Sequence, residues 1–137
     1  MLILDASAAL SWLIPDEIDE VSLHMLRAIA DETVCVPPLW RYEVLNGLRA
    51  AEVRGRISAE QIADRLHRIS ALGLIVDERD ARSDLTAELA LSRRHKISVY
   101  DAAYLELATR KVTSLMTRDR GLAAAAGALG LLWQPTS

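Results

Sequence analysis

The chain alternates short apolar runs with longer stretches of helical spacing, and that alternation restricts its fold more than any other feature. Residues 2–4 (Leu-Ile-Leu) and 34–36 (Val-Cys-Val, stopped by Pro37-Pro38) read as buried strands. Residues 74–76, after Gly73, and 112–116 read as a third and a fourth, and 131–133 as a short fifth. Between them Ile18, Val21, Met25, Leu26 and Ile29 recur at helical spacing, and residues 39–53 carry no breaker but Gly47. Ser58-Ala59-Glu60-Gln61 and Ser98-Val99-Tyr100-Asp101 have the capping-box pattern that opens a helix. Residues 80–95, with Leu85 and Leu89, and the Ala-rich 120–127 are read as further helices. Strands separated by helices imply a parallel sheet joined by right-handed crossovers. The expected class is therefore α/β, with a central parallel sheet of about five strands and helices on both faces. Ligands in such folds bind beyond the carboxyl ends of the strands, where the strand order reverses.

At 137 residues the chain is expected to form one domain spanning 1–137. Hydrophobic residues are 51% of it, aromatics only 4%, and Phe is absent, so the core must be built from Leu, Ala, Ile and Val. A single cysteine, Cys35, excludes an internal disulfide framework and a multi-cysteine zinc site. The net charge of −3 argues against coating nucleic acid by bulk charge. The first residues lack a basic region, and the apolar stretch 122–133 is shorter than the ~20 residues a bilayer requires. A cytoplasmic protein with no membrane association is expected.

Two acids fall where the strand-end rule directs the search, and Asp101 joins them only if its helix runs in a favourable direction. Asp5 ends the first strand and Asp119 follows the fourth; Asp101 lies in the first turn of the helix before that fourth strand, and Glu43 in the helix after the second. Each also has an ordinary reading. Asp119 can cap the helix that starts at Arg120, Asp101 can be the return half of a capping box, Glu43 can be a solvated helix charge, and Asp5 can serve a turn. Taken together they point further. Carboxylates ~4 Å apart repel by about 4 kcal/mol at an effective dielectric near 20, so a cluster requires protons, bases or a cation. Hard divalent cations favour oxygen ligands, and they activate water and stabilise charge on phosphate.

Read in order, these motifs resemble the PIN-domain ribonucleases, and most nearly the toxin of the VapBC toxin–antitoxin type. The resemblance is carried by Leu2-Ile3-Leu4-Asp5-Ala6-Ser7-Ala8 and Glu43-Val44-Leu45-Asn46-Gly47-Leu48, then by Ser98-Val99-Tyr100-Asp101-Ala102-Ala103-Tyr104 and Thr117-Arg118-Asp119-Arg120-Gly121-Leu122. It implies a site of Asp5, Glu43, Asp101 and Asp119 holding Mg²⁺ or Mn²⁺, with Asp5 and Asp101 as the most direct ligands. Ser7 and Thr117 match small hydroxyl positions that support the ligands, and Asn46 a polar position near Glu43. The implied reaction is metal-dependent hydrolysis of RNA phosphodiesters by a toxin that arrests growth. The implied partners are an RNA substrate, a small cognate antitoxin and a second copy in a homodimer. An RNA-processing nuclease without an antitoxin, or a non-catalytic PIN-like binding module, is the alternative.

Of the 16 basic residues only Lys96 and Lys111 are lysine, and Arg suits bidentate phosphate contacts. Arg118 and Arg120 flank Asp119 and are candidate RNA contacts; a solvated face or acid partners is the ordinary reading. The helices holding Ile18–Ile29 and Ile62–Ile69 could supply an apolar groove for a partner, or simply core faces. Trp12, Trp40 and Cys35 are expected to pack. A haloacid-dehalogenase-like phosphatase would need a second Asp where Ser7 stands. A receiver-like phospho-acceptor would need an acidic pair near the first strand and a late lysine near the last.

Overall fold

Apolar triplets too short to stand alone build the centre of the molecule. The computed structural model describes residues 1–136. Its elements are β1 (Leu2–Leu4), α1 (Ala6–Leu13), a 3₁₀ turn (Pro15–Glu17), α2 (Glu20–Ala30), β2 (Val34–Val36), α3 (Leu39–Val53) and α4 (Ala59–Ser70). Then follow β3 (Leu74–Val76), α5 (Ala87–His95), α6 (Val99–Lys111), β4 (Ser114–Met116) and α7 (Arg120–Ala128). The four strands form one parallel sheet in the order β3-β2-β1-β4, with Ile3 opposite both Cys35 and Leu115. The fifth expected strand is reduced to a single parallel bridge between Leu132 and Leu115.

The first two crossovers step outward to β3 and the third returns across the sheet to β4. With right-handed connections this places α1–α4 on one face and α5–α7 on the other. The packing of α1 on α2 and α3, and of α6 on α5, α7, β1 and β4, agrees with that division. Ile3, Leu4, Leu115 and Met116 fill the middle of the core, closed by Leu48, Leu105 and Leu122 from the helices. Trp12, Trp40 and Cys35 are buried as expected. Among the described residues no helix is long and apolar enough to cross a membrane.

Two helix expectations require correction. The segment 80–95 is helical only from Ala87, because residues 77–86 are turn and loop, with Asp84 at φ 23°. The helix expected over Ile18–Ile29 starts at Glu20, where Asp19 caps it, so Ile18 precedes it as an exposed residue. The fourth strand begins at Ser114 rather than at 112, because Val112 closes α6 in a left-handed conformation at φ 51°.

The strand order reverses between β1 and β4, and α1 starts there. Gly47 decides how near α3 comes to it. A Cβ at Gly47 would press into the Leu10 side chain of α1, so a glycine allows the two helices to close together. Glu43 lies one helical turn before that contact.

Candidate active site

Asp5 leaves β1 at the reversal point, and its backbone amide donates to the Met116 carbonyl of β4 at 3.1 Å. Its carboxylate caps α1, accepting the Ala8 amide on Oδ1 at 2.8 Å. Ser7 Oγ donates to the same carboxylate at 2.8 Å, and Thr117 Oγ1 donates to Oδ2. The hydroxyls are themselves anchored. Ser7 Oγ accepts the Arg118 amide at 2.9 Å, and Thr117 Oγ1 accepts the Asp119 amide at 3.0 Å. Residues 110 positions apart thus lock the ends of β1 and β4 around one carboxylate that is only 3% exposed. Burial raises the Asp5 pKa to about 6, against the pull of the Thr117, Ala8 and Ser7 bonds, and the charge of Asp101 adds to the rise.

The other three acids are linked to Asp5 by charge, with Asp101 close enough to act on Asp5, Glu43 and Asp119. Asp101 sits in the first turn of α6. Its amide donates to Ser98 Oγ at 3.0 Å, but the return bond of a capping box to the Ser98 amide is not formed. Its pKa is raised by burial and then by the charge of Asp119. Asp119 caps α7, taking the Leu122 amide on Oδ2 at 2.8 Å and, among the described residues, leaving Oδ1 without a hydrogen bond. Glu43 is half-buried rather than a solvated helix charge. Its Oε1 accepts the phenol of Tyr104 at 2.6 Å; burial raises its pKa, the Tyr104 bond opposes the rise, and Asp101 adds to it.

The capping reading of Asp119 therefore holds, and Asp5, expected in a turn, is a helix cap as well. A capping carboxylate has a second oxygen, and the cap fixes where that oxygen points. Among the described residues none of the four acids has an ion-pair partner, although Arg118 and Arg120 are neighbours in sequence. Arg118 sends its guanidinium to the Asp19 carboxylate at 2.8 and 2.6 Å, a bidentate pair that draws the Asp19 pKa well below its ordinary value. Arg120 and Asn46 are exposed.

The donors available to a metal are all carboxylate and hydroxyl oxygens, which suit a hard divalent cation. Among the described residues no three His, Cys, Asp or Glu side chains converge closely enough to enclose an ion. The fit to an ion of the Mg²⁺ kind rests on donor chemistry alone, and such an ion would take one or two of these carboxylates and the rest of its shell from water and substrate.

Tyr104 is the site residue that reading the sequence missed. On an Ala- and Leu-rich helix a tyrosine looks like core, and it is indeed 1% exposed. The available signal was its spacing: three residues after Asp101 puts it on the same face of α6.

A model of the PIN domain matches residues 2–128 of the chain. Ribonuclease VapC1 of Mycobacterium tuberculosis is 36% identical over 107 residues, covering 77% of this chain and 78% of that protein. Ribonuclease VapC3 of Pyrobaculum aerophilum is 30% identical over 123 residues, covering 89% and 92%. The crystal structure of PAE2754 from the same organism superposes with a TM-score of 0.66 over 90% of this chain and 78% of that one, at 22% identity. An α/β sheet reversing at an acid-lined strand end, and sequence similarity over most of the chain, lead to one assignment: the chain belongs to the PIN-domain family and is homologous to the VapC ribonucleases.

Proposed function

We propose that this chain, residues 1–137 as one PIN domain, is a metal-dependent endoribonuclease acting as the toxin of a toxin–antitoxin pair in the cytoplasm. Asp5 carries this reading. A buried carboxylate at the strand reversal, fixed by three donors and faced by other acids with no base among them, is costly without a cation. The named activity of the VapC relatives supports the same chemistry.

In this reading Asp5 and Asp101 hold Mg²⁺ or Mn²⁺, and Glu43 and Asp119 complete the site directly or through water. When bound, the ion supplies positive charge to the scissile phosphate and lowers the pKa of the attacking water. Ser7 and Thr117 keep the Asp5 oxygens in place, so no side chain needs to reorganise when the phosphate arrives. Glu43 and Asp119 each keep one carboxylate oxygen free of hydrogen bonds to the protein, with which to orient the water. Asn46 and Arg120 are assigned to the RNA approach, where exposed Arg120 has no carboxylate partner among the described residues to compete with phosphate.

The antitoxin is assigned to the face of α2 and α4, where a cleft of about 190 Å³ lined by Trp12, Leu13, Ile18, Leu23 and Ile69, with Arg65 and Arg68 beside them, has room for one apolar side chain of an amphipathic helix. The homodimer expected of this reading is tested by sedimentation at micromolar concentration; a monomer there contradicts it. The nuclease reading is tested by incubating purified protein with a mixed cellular RNA pool in Mg²⁺, Mn²⁺ or EDTA, beside a folded Asp5→Asn/Asp101→Asn control. Metal-dependent cuts absent from the control are expected. No cleavage by the folded, metal-loaded wild type would overturn the reading in favour of a binding module.

A further inference from the structure

Tyr104 ties together two of the elements that deliver the acids. It projects from α6 on the Asp101 face, and its phenol reaches Glu43 of α3. The side chain is buried, so without Glu43 its hydroxyl would lose its one side-chain acceptor away from water. The dependence runs the other way as well. The phenol is the only hydrogen-bond partner of the Glu43 carboxylate among the described residues, and it takes Oε1. A glutamate on a helix surface otherwise samples many rotamers.

We propose that Tyr104 is a positioning residue that makes Glu43 a one-oxygen ligand: the phenol occupies Oε1 and leaves Oε2 alone to face the acid site. The inference rests on the metal-dependent nuclease reading for its kinetic consequence, but not for its geometry. It distinguishes Tyr104 from a core tyrosine that merely finds an acceptor. In the core case the ring matters and the hydroxyl does not. In the positioning case removal of the hydroxyl acts through Glu43 and nowhere else.

The test is a double-mutant cycle of Tyr104→Phe, which keeps the ring and removes the hydroxyl, and Glu43→Gln, which keeps an acceptor for the phenol and removes the carboxylate charge. In Tyr104→Phe we expect kcat on RNA to fall about tenfold with KM within about twofold, and Mn²⁺ affinity, followed by the EPR signal of the free ion, to weaken about threefold or more. In the double variant we expect the rate of Glu43→Gln alone. An unchanged kcat and Mn²⁺ affinity in Tyr104→Phe would overturn the proposal. So would an equal loss from Tyr104→Phe in the wild-type and Glu43→Gln backgrounds.

A second measurement keeps the hydroxyl and does not depend on that variant folding. The chain has three tyrosines, and Tyr42 and Tyr100 are exposed, so fluorotyrosine labelling yields one buried ¹⁹F resonance. That resonance should shift on adding Mg²⁺ to the otherwise wild-type protein and should not shift in Glu43→Gln; no Mg²⁺ response in the former would overturn the proposal. Metal-dependent cleavage lost in Asp5→Asn but kept in full by Tyr104→Phe would sink this inference and leave the nuclease reading standing. No cleavage by the wild type would sink the nuclease reading and leave the ¹⁹F and Mn²⁺ arms to decide this one.

Discussion

Helix α6 touches two groups of carboxylates, and the two are held by opposite means. On one face Glu106 lies between two arginines, with Arg79 Nη1 and Arg110 Nε each 2.7 Å from its Oε1. Arg79 also meets Glu88 at 3.1 Å, and Arg110 meets Asp77 at 2.6 Å. Every acid in that group has a base, and the Arg110 bond holds the Asp77 pKa below its ordinary value. At the N-terminal end of the same helix, Asp101 faces Asp5, Glu43 and Asp119 with no base among them, and the pKa values of Asp5, Glu43 and Asp101 are raised. The chain has arginines enough to neutralise both groups, and Arg118 is next to Asp119 in sequence but turned to Asp19. The first group fastens the loop after β3 to α5 and α6. The second keeps unneutralised charge in place, which is what a cation site requires and a structural ion pair does not.

Removing charge should therefore have opposite consequences at the two ends. The largest effect is on activity: Asp5→Asn or Asp101→Asn should lower RNA cleavage at least about a hundredfold with the fold intact by circular dichroism. Next is the stability of the metal-free protein. The folded-state pKa of Asp5 lies near 6, above its unfolded value of 3.8, so its ionised form favours the unfolded chain. That penalty is absent below pH 3.8, grows between 3.8 and 6, and is full above 6. Asn caps a helix about as well as Asp, so urea unfolding at pH 7.5 should find metal-free Asp5→Asn more stable, by at most roughly 3 kcal/mol. The gain should vanish near pH 4. Glu106→Gln should do the reverse, costing about 2 kcal/mol by leaving two arginines short of an acceptor, while cleavage per folded molecule stays within about twofold. Asp77, whose pKa is lowered, stabilises the fold above its unfolded pKa and loses that contribution as pH falls. Smallest is substrate binding: Arg120→Glu should weaken RNA affinity several-fold and reduce its log–log salt slope by about 1, with a smaller loss in Arg118→Ala because Asp19 already holds that guanidinium. Equal losses would remove the distinction between them.

Much of this contrast was legible beforehand. The strands at 2–4, 34–36 and 74–76 are apolar triplets bounded by Asp, Pro or Gly, and they form where expected. Once strands alternate with helices, the strand-end rule puts Asp5 and Asp119 at the carboxyl ends of β1 and β4, and the sheet order makes those strands neighbours. What escaped was local mimicry and distant pairing. Leu85 and Leu89 are spaced like a helix face, yet residues 77–86 are a loop held by Arg79, whose Nη2 bonds the Asp84 carbonyl at 3.1 Å. Helix α1 went unread because its Ala-rich apolar run has no polar face to show a period; its signal was Asp5 as N-cap. The Arg118–Asp19 pair spans 99 residues and the Tyr104–Glu43 bond 61, and no pattern within a short window reports either.

The central claim, that the base-free acids are a cation site, is tested most directly by unfolding wild type and Asp5→Asn at pH 7.5 across a Mg²⁺ titration. A ligand that binds only the folded state stabilises it by about 2.7 kcal/mol at a hundred times its Kd. The account predicts a Mg²⁺-dependent rise in wild-type stability that Asp5→Asn lacks, so that added metal closes or inverts the gap between the two proteins. An identical response of both proteins to Mg²⁺ would contradict it.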